Sequence, residues 1–127
     1  MISANKLVNI LGVYLYKHLD GAFKYVTSSN NCDVYFTLLY QLRPEDQSPR
    51  NTPEENDVHE LTININLTTY QNKIRVNTIE RTAKERTLGC DVYTPEQLQD
   101  LEQAKELIFA KVVKRVSKAY KDFDFLF

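Results

Sequence analysis

The side chains able to do covalent or acid–base chemistry are few and scattered. The chain of 127 residues carries two histidines, His18 and His59, and two cysteines, Cys32 and Cys90. A dyad of Cys90 and His59 would supply a thiolate and its base. No local signature surrounds Cys90, however. It stands before the helix cap at Thr94 rather than at a helix N-terminus, where a thiol pKa falls most. A zinc site built from Cys32, Cys90, His18 and His59 would need four distant residues to converge, and no CxxC or HxxxH pair supports one. The carboxylate pairs Glu45-Asp46 and Glu54-Glu55 fall in a hydrophilic stretch. Solvated surface charge is expected there, because general acids need a shaped or buried site. Three glycines, Gly12, Gly21 and Gly89, form neither GxGxxG nor GxxxxGK, so no backbone cradle for phosphate is expected. The sequence therefore predicts no enzyme, no cofactor and no metal centre. A small enzyme using Cys90 or His59 is the weakest of the alternatives.

Composition fits this reading. At 43% hydrophobic and 26% charged, the chain reads as one globular domain, 1–127, able to bury a core without disulfides. Two cysteines are too few for a disulfide framework, so free thiols in a reducing compartment are expected, cytoplasmic or nuclear. No apolar run approaches the ~18 residues that suggest a membrane span. Asn66-Leu67-Thr68 matches a glycosylation triplet but sits in a strand pattern, whereas acceptors favour surface loops. With a net charge of −1, the chain as a whole has no field to hold a polyanion.

Hydrophobic periodicity supplies the elements. Leu7, Ile10, Leu11, Tyr14 and His18 recur at helical spacing after Ser3, a cap residue, and Gly21 is a plausible stop. This predicts a helix over about 4–19. Phe23 to Val26 reads as a short strand or ordered link. Val34 to Leu42 is an alternating strand, apolar enough to be covered on much of both faces. Residues 43–57 contain three prolines, no apolar residue and a net charge of −3 (two Arg against five Asp and Glu), so a flexible acidic loop is expected. In LTININLTTY, Leu61, Ile63, Ile65 and Leu67 alternate with Thr62, Asn64, Asn66 and Thr68. That pattern marks a half-buried antiparallel strand. With Ile74 to Thr78 it forms a hairpin over about 60–79, and Leu88, Cys90 and Val92 suggest a short fourth strand. Thr94, Pro95 and Gln97 form a cap, Pro and capping-box start. A last helix over about 95–120 then buries Leu98, Leu101, Ala104, Ile108, Val112, Val116 and Ala119. The fold class is α+β, a two-layer sandwich. An N-terminal helix, a three- or four-stranded antiparallel meander and a long C-terminal helix follow in order, with both helices on one face.

Two surfaces remain as candidate binding sites. Lys111, Lys114, Arg115 and Lys118 make the end of the last helix basic. Acids at a helix start and bases at its end complement the dipole, and the same charges could meet an acidic partner or phosphates. The element order resembles that of double-stranded RNA-binding domains. The lysine cluster opening that family's last helix is replaced here by Pro95-Glu96-Gln97, so no membership follows. The second surface is the tail, 122–127, where Phe123, Phe125 and Phe127 alternate with Asp122, Asp124 and Leu126. Burying a Phe is worth about 1.5–3 kcal/mol, so either this chain or a partner should cover them. The expectation is a non-catalytic intracellular protein-interaction or adaptor module. RNA binding through the basic helix is the alternative. LTININLTTY is neutral on its polar side, so as an edge strand it would also allow a homodimer.

Overall fold

The computed structural model describes residues 2–19, 22–28, 32–42, 58–68, 72–81, 85–119 and 123–125; for Ala22, Phe23, Leu39–Leu42, Val58, His59, Ala119 and Phe123–Phe125 the backbone alone is described. The expected loop 43–57 lies outside them. Helix α1 spans Ala4–Lys17. The strands are β1 (Ala22–Thr27), β2 (Asp33–Leu42), β3 (Val58–Leu67), β4 (Ile74–Arg81), β5 (Glu85–Tyr93) and β6 (Phe123–Phe125). A 3₁₀ turn, Pro95–Leu98, precedes helix α2, Leu101–Ala119. The expected α+β two-layer arrangement is present, with five strands in consecutive antiparallel order, β1-β2-β3-β4-β5, rather than three or four. The link at Phe23 to Val26 is the fifth strand, β1.

Alternation in β3 divides the two faces. Leu61, Ile63 and Ile65 are fully or almost fully buried. They lie opposite Leu38, Phe36 and Val34 of β2 on one side and Glu80, Thr78 and Val76 of β4 on the other. This face receives Leu7, Val8, Leu11 and Leu15 of α1 and Ala104, Ile108, Val112 and Val116 of α2 in one core cluster. Helix α1 lies close against β2 at Gly12, where an added Cβ would come 2.6 Å from Val34 Cγ1.

Several boundaries differ from expectation. The segment Leu61 to Asn66 is central, paired with β2 on one side and β4 on the other, so it has no free edge with which to join a second copy. Helix α1 stops at Lys17, before Gly21, and the Ser3 side chain makes no cap bond. Instead the Gln99 amide grips Ile2, accepting from its N–H at 2.8 Å and donating to its carbonyl at 2.9 Å. The Thr94–Gln97 capping box is present, but it opens the 3₁₀ turn. Asp100 then caps α2, its Oδ1 accepting from the N–H groups of Glu102 and Gln103 at 3.1 and 3.2 Å.

The tail enters the sheet. Phe123, Asp124 and Phe125 pair antiparallel with Leu42, Gln41 and Tyr40. Since β3 occupies the other edge of β2 there, β6 continues the line of β1.

Gly12→Ala should destabilise the fold by about 1–2 kcal/mol in denaturant titration, because overpacking outweighs the helix-propensity gain. In a Val34→Ala background the same change should be neutral or stabilising.

Candidate functional site

Beneath α2, the sheet face changes from apolar to polar. On β4 and β5 it carries Thr78, Glu80, Asp91 and Tyr93, all buried. Arg115 reaches down from α2 and grips Asp91. Its Nη2 donates to Oδ1 at 2.7 Å and its Nε donates to Oδ2 at 3.4 Å. Gly89 makes the approach possible, since a Cβ there would overlap Cδ and Nε of Arg115. Glu80 faces a second guanidinium, with Oε1 3.3 Å from Arg86 Nη2. Both carboxylates are thus matched to arginines, an arrangement that neutralises buried charge rather than poising an acid against a base. Among the described residues, the buried hydroxyls of Thr78 and Tyr93 have no hydrogen-bond partner. Burial, reinforced by the charge of Asp91, pushes the Tyr93 phenol up to about 12.

This seam sets the orientation of α2. Lys105, bonded at 2.7 Å to Glu102, lies on the flank facing α1, because Tyr14 of α1 donates its hydroxyl to the same Glu102. Arg115 leans the other way, toward β5. At about 100° per residue, Lys111, Lys114 and Lys118 fall on the Arg115 side of the helix. They therefore overhang the β5 edge of the sheet; Lys114 and Lys118 are exposed and Lys111 half-buried. Of the four basic residues singled out in the sequence, Arg115 is committed to the fold and three remain at the surface. Among the described residues β5 pairs with β4 alone, so its outer edge is open. The first half of that edge carries Glu85 and Arg86 and is kinked by a register shift opposite Thr78 and Ile79. Charge and bulges of this kind deter strand addition. The second half, Gly89 to Tyr93, has neither protection on its outward side; Cys90 is exposed and Val92 is 52% exposed.

On the face away from the helices, polar side chains bond to one another. Asn64, only 4% exposed, donates through Nδ2 to Asp33 Oδ1 at 2.6 Å and to the Val34 carbonyl at 3.1 Å. Its Oδ1 accepts from Asn66 and Asn77 at 2.8 and 2.9 Å. The alternation in β3 correctly separates the faces, but Thr62 and Asn64 are shielded by their neighbours rather than open to water.

The other candidates do not converge. His59 lies in β3 and Cys90 in β5, with β4 between them. Asn77 links Cys90 to Asn64, five residues along β3 from His59. Strand rise and spacing put those backbones on the order of 19 Å apart, too far for a dyad. His18 stacks on Tyr14 with centroids 4.4 Å apart, and its Nδ1 lies 2.8 Å from the Tyr14 carbonyl, a local helix-end contact. Among the described residues, no group of three or more His, Cys, Asp or Glu could hold a metal ion. Nor is any helix there long and apolar enough to cross a membrane. Phe123 and Phe125 lie in β6, and Phe127 lies outside the described residues. No protein-family profile, curated protein or solved structure matches this chain.

The Tyr93 phenol fixes a pH dependence. Its folded pKa of about 12 lies above the ordinary value of 10.0, so the folded state holds the proton more tightly. That contribution is complete below pH 10 and is lost as pH rises toward 12. Denaturation from pH 9 to 12 should show a steeper loss of stability for the parent than for Tyr93→Phe, by on the order of 1–2 kcal/mol. At pH 7 the variant should match or slightly exceed the parent, because the hydroxyl it removes has no partner among the described residues.

Proposed function

We propose that this chain is a non-catalytic binding module, working in a reducing intracellular compartment, that adds an acidic, extended segment of a protein partner to the open half of β5. The observation that carries this reading is the coincidence of an unprotected strand edge with a basic overhang. Gly89 to Tyr93 offers backbone groups on its outer side, and Lys111, Lys114 and Lys118 stand along the same border. Strand addition takes its affinity from main-chain hydrogen bonds and its specificity from side chains beside them. The overhang favours carboxylates in the added strand, and it disfavours a second copy of this chain, whose own lysines would come close in a β5–β5 pairing. Pairing of β6 with β2 supports an intramolecular role for Phe123 to Phe125 rather than service as bait for a partner. The seam beneath α2 supports a structural role for its ionisable groups, since each carboxylate meets an arginine.

The test is a titration of isotope-labelled protein with a short peptide alternating Glu and Val, followed by amide shifts and hydrogen exchange. Shifts should cluster in Gly89 to Tyr93 and along Lys111 to Lys118, and β5 amides should gain protection. Lys114→Glu with Lys118→Glu should weaken binding about tenfold, and added salt should weaken the parent complex. Val92→Lys should block addition without unfolding the protein. An equal response to a Lys–Val peptide would overturn the reading. So would duplex RNA bound through the same lysines with β5 amides unprotected.

A further inference from the structure

The face away from the helices holds a concavity of about 200 Å³, lined by Lys24, Val26, Tyr35, Thr37, Thr62 and Arg81. The register explains its shape. Lys24, Thr37 and Thr62 lie in one row across β1, β2 and β3, and Val26 and Tyr35 lie in the next. Two short threonines thus form a floor between longer side chains. Lys24 and Arg81 stand three strands apart, roughly 14 Å at the spacing of a sheet, which leaves room for one small molecule between them.

The floor has unused bonding capacity. Thr37 and Thr62 are 6% and 3% exposed, and their hydroxyl oxygens are 3.3 Å apart. One hydroxyl donates to the other, so the acceptor's own proton remains to be given. Among the described residues neither hydroxyl has another side-chain partner. The walls divide by chemistry. Tyr35 turns its hydroxyl toward Asp33, at 3.4 Å, and with Val26 leaves an apolar surface over the second row. Lys24 makes no ion pair among the described residues. Among the described residues Arg81 pairs with Glu85 alone, at 3.3 Å with both side chains about half exposed, a contact of little strength that another carboxylate can displace. Glu60, opposite Arg81 in the register, and Asp33, at the Tyr35 hydroxyl, are nearby acids, and neither lines the cavity.

We infer that this concavity is a binding site for a small monocarboxylate bearing one ring. Its carboxylate sits above the threonine row, accepting from the free hydroxyl and from Lys24 and Arg81, and its ring lies against Val26 and Tyr35. The apolar second row, Val26 and Tyr35, favours a ligand with a ring over a purely polar anion. This inference is independent of the open half of β5, since no lining residue of the concavity lies in Gly89 to Tyr93.

Benzoate is the direct probe, with benzamide as its neutral counterpart and inorganic phosphate as the anion without a ring. Benzoate should produce saturable amide shifts at Lys24 to Val26, Tyr35 to Thr37, Thr62 and Arg81, with Kd on the order of 1 mM. Benzamide should bind at least about tenfold more weakly, and Arg81→Gln and Lys24→Gln should each cost roughly tenfold. The amide spectrum outside the site reports whether each variant keeps its fold. Thr62→Ser, which retains the hydroxyl, should bind like the parent, whereas Thr62→Val should not. Absence of a saturable shift by about 10 mM benzoate would overturn the inference. Phosphate or benzamide binding as tightly as benzoate would overturn it as well.

Discussion

Everything in this molecule hangs on the register of β3. A strand alternates with period two, so a slip of one residue would place Thr62, Asn64 and Asn66 in the core and Leu61, Ile63 and Ile65 outside. Each buried aliphatic side chain is worth about 1.5–3 kcal/mol, and the displaced amides would then have no partners. The polar side fixes the same register independently. Asn64 donates to β2 and accepts from β4, an arrangement available only when it stands opposite Tyr35 and Asn77. Two unlike forces thus select one alignment, and because β3 is central that alignment passes to both neighbours.

With the core face occupied by α1 and α2, binding capacity falls to what the helices leave uncovered, the outer face and the β5 border. Arg115 connects the fold to that border. Its bond to Asp91 turns α2 so that the remaining lysines face outward over β5, and Gly89 leaves the space for its stem. A residue that reads as part of a basic stripe is thereby the anchor that presents the stripe. The outer face has a different character. Its buried amides and hydroxyls bond mainly to each other, which makes it rigid, and the spare donor in the threonine pair is the exception.

The legible parts of the fold were those with strong local periodicity. Helix α1, β2, the β3–β4 hairpin and α2 follow from apolar spacing alone, and with them the two-layer class. The edge strands were faint for a physical reason. In β1 the exposed positions carry Lys24 and the apolar Val26 alike, around a half-buried Tyr25, so the sequence shows no clear polar–apolar alternation, and in β5 the register shift before Gly89 breaks the alternation midway. The position of β3 within the sheet was not legible either, because its neutral polar face suits an edge as well as a centre. Capping at Asp100 competes with a complete capping box that opens at Thr94, and sequence spacing cannot rank the two. The Arg115–Asp91 pair joins residues 24 apart in sequence on different elements, and no local pattern reports it. Residues Gly89 and Arg115 carried only a generic signal until their contact was known. The threonine-floored concavity needs four strands in register before its six residues become neighbours.

Amide hydrogen exchange along β3 tests the central claim most directly. Every amide from Leu61 to Ile65 should be among the slowest in the protein, opening only with global unfolding, since both sides of the strand are paired. Fast exchange at alternate positions of that segment would mean one side faces water, and a central β3 with its two-sided register would be refuted.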